Sequence, residues 1–326
     1  MTTWLVTGGA GYIGAHVVRA FQAQGITPVV LDNLSSGLAR FVPAGVEFIQ
    51  GDILDTALLT QVLLENRCSG VVHVAGFKYA GVSVQQPLHT YAQNVTGTAS
   101  VLTAMLDAGV KNVVFSSSAA VYGTPSTDLV TEDSPHHPES PYGESKLIGE
   151  WLINDVARSS EGFRGVSLRY FNVVGSATDE VHDASPHNLF PLVIEALLAG
   201  RTPRINGDDY PTPDGTCVRD YVHVGDLATS HVAAAQALEA GRDLRPAYNL
   251  GSGEGLSIRQ IMDAMARVTG IGFTPDLAPR RPGDPARIVA QGTAAAADLD
   301  WAMRYSVDEM VASAWSARRA SGPGAS

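Results

Sequence analysis

Short β-branched runs alternate along this chain with segments whose apolar positions recur at helical spacing. Residues 5–6, 29–31, 48–50, 70–73, 112–116 and 166–170 predict strands, and 15–24, 56–66, 91–108 and 142–158 predict helices. Gly25 and Gly109 stand where two of these helices should stop. That rhythm predicts an α/β, Rossmann-like fold: a doubly wound parallel sheet with helices on both faces. In such a sheet ligands lie outside the carboxyl ends of the strands, an edge that Gly8, Asp32, Ala75, Ser118 and Asn172 would all reach.

Past Asn172 the pattern changes to loops rich in Ser, Asp, His and Pro over 176–186 and 202–215, where a second, smaller domain is expected. The chain should return to the sheet at 247–250, after a helix beginning near Asp226. The glycine-rich loop at 251–255 could cradle phosphate, but Ser257 and Gln260 form a capping box for the next helix, which is the preferred reading. Residues 320–326 are small, polar or helix-breaking and predict a frayed tail.

The 326 residues suffice for one large α/β unit or two domains sharing a cleft. A formal charge of -11 argues against a nucleic-acid or anionic-membrane partner. Cys68 and Cys217 are too few for a disulfide framework or a zinc cage. With no leader-like start and no membrane-spanning apolar stretch, a cytoplasmic protein is expected.

Two motifs carry chemistry. Gly8, Gly11 and Gly14 follow the first strand at three-residue spacing, suiting a tight turn, close approach to a pyrophosphate, and helix–sheet packing. The second strand ends at Asp32, placed to bind an adenosine ribose and to favour NAD over NADP. Tyr142 stands four residues before Lys146, so on a helix the phenol and ammonium share a face. A nearby fixed cation is the physical way to stabilise a phenolate whose reference pKa is about 10.

Together these residues resemble an extended short-chain dehydrogenase/reductase, and within that superfamily the UDP-glucose (UDP-galactose) 4-epimerases. The resemblance runs through TGGAGYIG from Thr7, LDNLSSG from Leu31, GDI from Gly51, HVAGFKYAGVSVQQP from His73, NVTGT from Asn94, SSSAAVYG from Ser116, YGESK from Tyr142, RYFNVVG from Arg169, DYPTPDGTCVRDYVHVGDLA from Asp209, YNLGSG from Tyr248 and RRPGD from Arg280. It implies a tightly bound NAD held by Gly8, Gly11, Tyr12, Ile13, Asp32, Asn33, Asp52, Ile53, Ala75, Lys78, Asn94, Tyr142, Lys146 and Tyr170. It implies that Asn172, Asn188, Leu189, Arg219, Arg281 and Asp284, with Ser118, bind the UDP-sugar substrate, the two arginines facing its diphosphate. Ser118, Tyr142 and Lys146 become the catalytic residues. Tyr142 as phenolate would take the proton of the sugar 4-hydroxyl while hydride passes from C4 to NAD⁺, and the 4-keto sugar would turn over before hydride returns. The implied division is an NAD-binding domain of 1–172 plus about 222–250, and a nucleotide-sugar-binding domain of 173–221 plus about 251–326. A homodimer through the 91–108 and 142–158 helices is also implied.

Ser116 and Ser117 read as strand-end hydrogen-bonding residues, His73 as a core residue, and His136 and His137 as a solvated loop. His182, Asp183 and His187 lack a further fixed ligand, so no metal site is expected. For Arg219 the competing role is a surface ion pair with Asp220. Val173, His187, Asn206 and Gln291 depart from the commoner family pattern, Asn206 where an aromatic often covers the uracil. Ile288 stands where related enzymes admit or exclude N-acetylated sugars, leaving open UDP-N-acetylhexosamines, or pentose and uronate analogues. A 4,6-dehydratase would need an acid pair where Ser117 and Ser118 stand, and a non-catalytic NAD sensor would usually have lost the tyrosine or lysine.

Overall fold

The structure is a computed structural model that describes residues 2–281 and 284–322. Along the chain the strands are β1 (Thr3–Thr7), β2 (Thr27–Asp32), β3 (Glu47–Gln50), β4 (Gly70–His73), β5 (Asn112–Ser116), β6 (Arg164–Tyr170), β7 (Asn172–Val174), β8 (Arg204–Asn206), β9 (Val218–Arg219), β10 (Tyr221–His223), β11 (Ala247–Leu250), β12 (Leu256–Ser257), β13 (Asp276–Ala278) and β14 (Arg287–Ile288). The helices are α1 (Tyr12–Ala23), α2 (Thr56–Glu65), α3 (Ala80–Ser83), α4 (Pro87–Tyr91), α5 (Gly97–Asp107), α6 (Pro141–Ser159), α7 (Leu189–Leu198), α8 (Val224–Glu239), α9 (Ile258–Thr269), α10 (Thr293–Leu299) and α11 (Val307–Ala320).

Seven strands form one sheet in the order β11-β6-β5-β4-β1-β2-β3, every pairing parallel. Alternation along each strand sends neighbouring residues to opposite faces. Trp4, Val6, Val30, Val72 and Val114 pack on one face with Phe21 of α1 and Leu227 of α8. Leu5, Val29, Val71, Val113 and Phe115 pack on the other with Leu59 of α2, Met105 of α5 and Ile153 of α6. Strands buried on both faces are why these segments read as continuous apolar runs.

The order steps outward from β1 in both directions, so the crevice opens beside β1 and β4. Gly8, Asp32, Ala75, Ser118 and Asn172 lie at or just beyond the carboxyl ends of β1, β2, β4, β5 and β6, as the sequence predicts. A smaller assembly stands over that edge. Paired strands β8 and β13, the three-stranded β12-β9-β14, and helices α7, α9 and α11 surround a core of Phe190, Ile194, Ile205, Met262 and Met310.

The 91–108 segment is not one uniform helix. Residues 92–96 form a π-helical turn between α4 and α5, with Asn94 inside it. Its amide donates to the Phe77 carbonyl (3.0 Å) and to Ser145 Oγ (2.8 Å), and accepts from the Phe77 N–H (2.6 Å). A side chain tied to a neighbouring loop accounts for the local widening. The capping box at Ser257 and Gln260 is present, and the described part of the predicted tail begins as the last residue of α11. Residues 323–326 lie outside the described residues.

Candidate active site

β1 delivers Gly8 into a turn with φ +72°, and a Cβ there would meet the Ala75 nitrogen at 2.7 Å. At Gly14 a Cβ would lie 2.1 Å from the Gly8 carbonyl oxygen, so α1 can approach the turn only without one. Gly11 caps α1 with no side-chain hydrogen bond, which leaves the helix N-terminus to an anion. Asp32 accepts from the Ala10 N–H (3.1 Å) and the Leu34 N–H (2.8 Å). Burial pushes its carboxyl up, while those two bonds and the Lys78 charge pull it down. Asn33 Nδ2 donates to Asp52 Oδ2 at 2.9 Å, joining the ends of β2 and β3.

Ser140 opens α6 by accepting from the Gly143 N–H, with Pro141 in the first turn. Tyr142 and Lys146 therefore face the cavity one turn apart. The Lys146 ammonium donates to the Ser116 carbonyl at 2.9 Å, lies 5.0 Å from the Phe115 ring centre and 5.9 Å from that of Tyr142. Burial drops its pKa to about 8, against the opposing charge of Glu150. Burial also raises the Tyr142 phenol, and a hydrogen bond with Ser118 works against that rise.

One cavity of about 780 Å³ gathers these groups. Of the site residues expected from the sequence, Ser118 and Asn94 do not line it and the others do. Ser118 stands behind Tyr142, and Asn94 is committed to Phe77 and Ser145. In the same cavity Arg219 donates to the Pro285 (2.6 Å) and Val218 (3.0 Å) carbonyls and pairs with Asp284 at 3.5 Å. Arg281 Nε lies 3.0 Å from the Asn206 amide, oriented to accept it. Asn172 Nδ2 donates to the Asp220 carbonyl (3.1 Å), and Asn188 Nδ2 to Asp183 (2.8 Å).

Asp220 does not pair with Arg219. Its buried carboxylate accepts from the N–H groups of Ser252 (2.7 Å), Gly253 (3.2 Å) and Ala290 (3.1 Å) and from Ser252 Oγ (2.8 Å). That carboxylate fills the glycine loop at 251–255 from within. His73 bridges Thr7 and Thr98 inside the core and its pKa falls to about 3. His136 is half-buried against Tyr122 rather than fully solvated. Among the described residues no cluster could hold a metal ion.

The NAD dependent epimerase/dehydratase family matches residues 4–251. The chain belongs to that family. A UDP-glucose 4-epimerase of Lacticaseibacillus casei is 42% identical over 321 residues, covering 96% of each chain. Among solved structures, the UDP-glucose-4-epimerase of Stenotrophomonas maltophila with bound NAD and formylated UDP-arabinopyranose superposes with a TM-score of 0.94 at 36% identity, covering 98% of each chain. The Bifidobacterium longum UDP-glucose 4-epimerase in complex with NAD+ and UDP gives 0.92 at 36% identity, covering 100% of each.

Members of this epimerase family use NAD, and the residues present fit it. Cβ-intolerant glycines lie at the α1 N-terminus, an acid ends β2, and Tyr142 and Lys146 face the same cavity. The cavity also holds groups that sequence patterns did not single out. Phe77 makes edge contacts with His89 at 5.2 Å and with Tyr79 at 5.6 Å between ring centres, and Tyr79 in turn meets His187, already noted as a departure from the family pattern, at 4.9 Å. The signal for Phe77 and Tyr79 was their flanking of Lys78. Arg204 was recoverable from strand alternation, because it stands two residues before Asn206 on β8 and both line the cavity.

Proposed function

We propose that this protein interconverts UDP-galactose and UDP-glucose as an NAD-dependent 4-epimerase. The carrying observation is one cavity lined both by Tyr142 and Lys146 and by Arg219 and Arg281. When bound, NAD supplies the hydride acceptor and donor for the sugar C4. Tyr142 takes and returns the proton of the 4-hydroxyl, and Ser118 behind it stabilises the same charge through its hydrogen bond to the phenol. Lys146, held by the Ser116 carbonyl, brings a fixed cation to the buried phenolate. Arg219 and Arg281 hold the diphosphate by charge-assisted bonds, so the 4-keto sugar can turn while its tail stays anchored. Asn172, Asn188, Leu189 and Asp284 complete that end, and Gly8, Gly11, Tyr12, Ile13, Asp32, Asn33, Asp52, Ile53, Ala75, Lys78 and Tyr170 the cofactor end. Incubating purified protein with UDP-galactose and assaying UDP-glucose tests this reading.

The division follows the chemistry: 1–172 with about 222–250 binds NAD, and 173–221 with the remainder binds the nucleotide sugar. A homodimer through α5 and α6 is supported by Leu106 and Trp151, which leave apolar surface at 45% and 55% exposure. Sedimentation at micromolar concentration checks it. No helix among the described residues is long and apolar enough to cross a membrane. Cys68 and Cys217 are buried free thiols, which supports a reducing, cytoplasmic location.

A further inference from the structure

Behind the reacting groups lies a buried ion pair that touches neither the cavity nor its expected ligands. Glu150 stands one turn after Lys146 on α6, and its carboxylate is bound by Arg169 through Nε at 2.9 Å and Nη2 at 2.6 Å. Both side chains are at most 5% exposed. The same carboxylate accepts from Ser117 Oγ at 2.5 Å. Ser117 sits between Ser116, whose carbonyl holds the Lys146 ammonium, and Ser118, which bonds the Tyr142 phenol. Arg169 precedes Tyr170 of the cavity wall and donates onward to Tyr122 Oη (2.8 Å) and the Glu132 carbonyl (3.1 Å). A buried pair is a weak source of net stability, which directs attention to what it positions.

We propose that the Glu150–Arg169 pair is the positioning device of the reaction: through Ser117 it fixes the 116–118 segment, and it presents the anion that faces Lys146 from within α6. The inference rests on Tyr142, Lys146 and Ser118 being the reacting groups. The titratable groups around Lys146 are Tyr142 and Glu150 on its own helix, His73 at the end of β4, Arg169 and Tyr170 on β6, and His231 of α8, which meets Ser116 at 3.0 Å and is held neutral by burial. His73 is held neutral by burial, Tyr170 is pushed up by burial, and Arg169 is committed to Glu150. Glu150 remains as the anion acting on Lys146.

The chain has three lysines, Lys78, Lys111 and Lys146, so lysine labelled with carbon-13 at Cε reports each one separately by NMR. In NAD-loaded protein, Glu150→Gln should move the Lys146 midpoint down by about one pH unit or more. The alkaline limb of kcat should move with it. Because Glu150→Gln strands a buried guanidinium, Glu150→Gln/Arg169→Gln serves as the folding control, and there a smaller downward move is expected because loss of the Arg169 cation opposes loss of the Glu150 anion. Ser117→Ala, which leaves the ion pair intact, should lower kcat several-fold with KM and the Lys146 midpoint unchanged. A Lys146 midpoint that stays at its wild-type value in folded Glu150→Gln overturns the proposal, as does an unimpaired Ser117→Ala. The lysine signal is read without turnover, so failure of the epimerase reading would leave it interpretable.

Discussion

Lys146 places its ammonium 5.9 Å from the centre of the Tyr142 ring, but its hydrogen bond goes to the Ser116 carbonyl. The lysine is thus held in a fixed position near the phenol without a hydrogen bond to it. Removing the phenol should separate binding from chemistry. Tyr142→Phe is expected to retain NAD, measured as cofactor absorbance after gel filtration, while kcat falls roughly 10²–10⁴-fold. Wild-type turnover in that variant would contradict the assigned base.

Arg281 and Arg219, which line the same cavity, should contribute similarly to UDP affinity. Arg281→Ala loses a charge-assisted bond worth about 1.5–3 kcal/mol, so calorimetry should show UDP binding weakened by about 10- to 100-fold. Arg219→Ala should do the same and also free Asp284, its partner at 3.5 Å. UDP affinity unchanged in both variants would remove these residues from the diphosphate site.

Gly14 carries the steric half of the cofactor cradle. Gly14→Ala sets a methyl group 2.1 Å from the Gly8 carbonyl oxygen, which neither backbone can accommodate without moving. Loss of co-purifying NAD, with a lowered melting temperature, is expected. A variant that purifies with full NAD occupancy would show that the helix need not approach the turn so closely.

Four buried histidines set the acid limit of stability. Burial lowers His73 to about 3 and His16, His223 and His231 to about 4. The unfolded chain binds protons below about pH 6.5 that these folded-state imidazoles refuse, so the unfolded state is favoured as pH falls. The stability is present above about pH 6.5 and declines toward pH 4, each histidine contributing up to about 1.4 kcal/mol per pH unit. Urea unfolding at pH 7.5 and pH 5 measures this; equal midpoints would contradict it.

Legibility followed the kind of interaction. Strand runs buried on both faces and glycines forced by close approach were readable because local sequence and tertiary demand coincide. The helix at 91–108 was read without its π turn, because that turn depends on Asn94 reaching Phe77, a contact across seventeen residues. Arg219 and Asp220 are adjacent in sequence yet serve different partners, Arg219 pairing with Asp284 at the end of β9 and Asp220, in the link to β10, binding the 251–255 loop. Ile288 was read as a gate to the sugar, but it packs among Val121, Val130 and Leu147 and does not line the cavity.

The central claim is a redox-neutral inversion at C4 using NAD that stays bound. Its most direct measurement starts from UDP-galactose and, separately, from UDP-glucose, with no NAD added and the retained cofactor quantified. The account predicts many turnovers per bound NAD and the same final ratio of the two sugars from either side. No interconversion by protein that retains NAD, or a need for NAD in proportion to product, would contradict it.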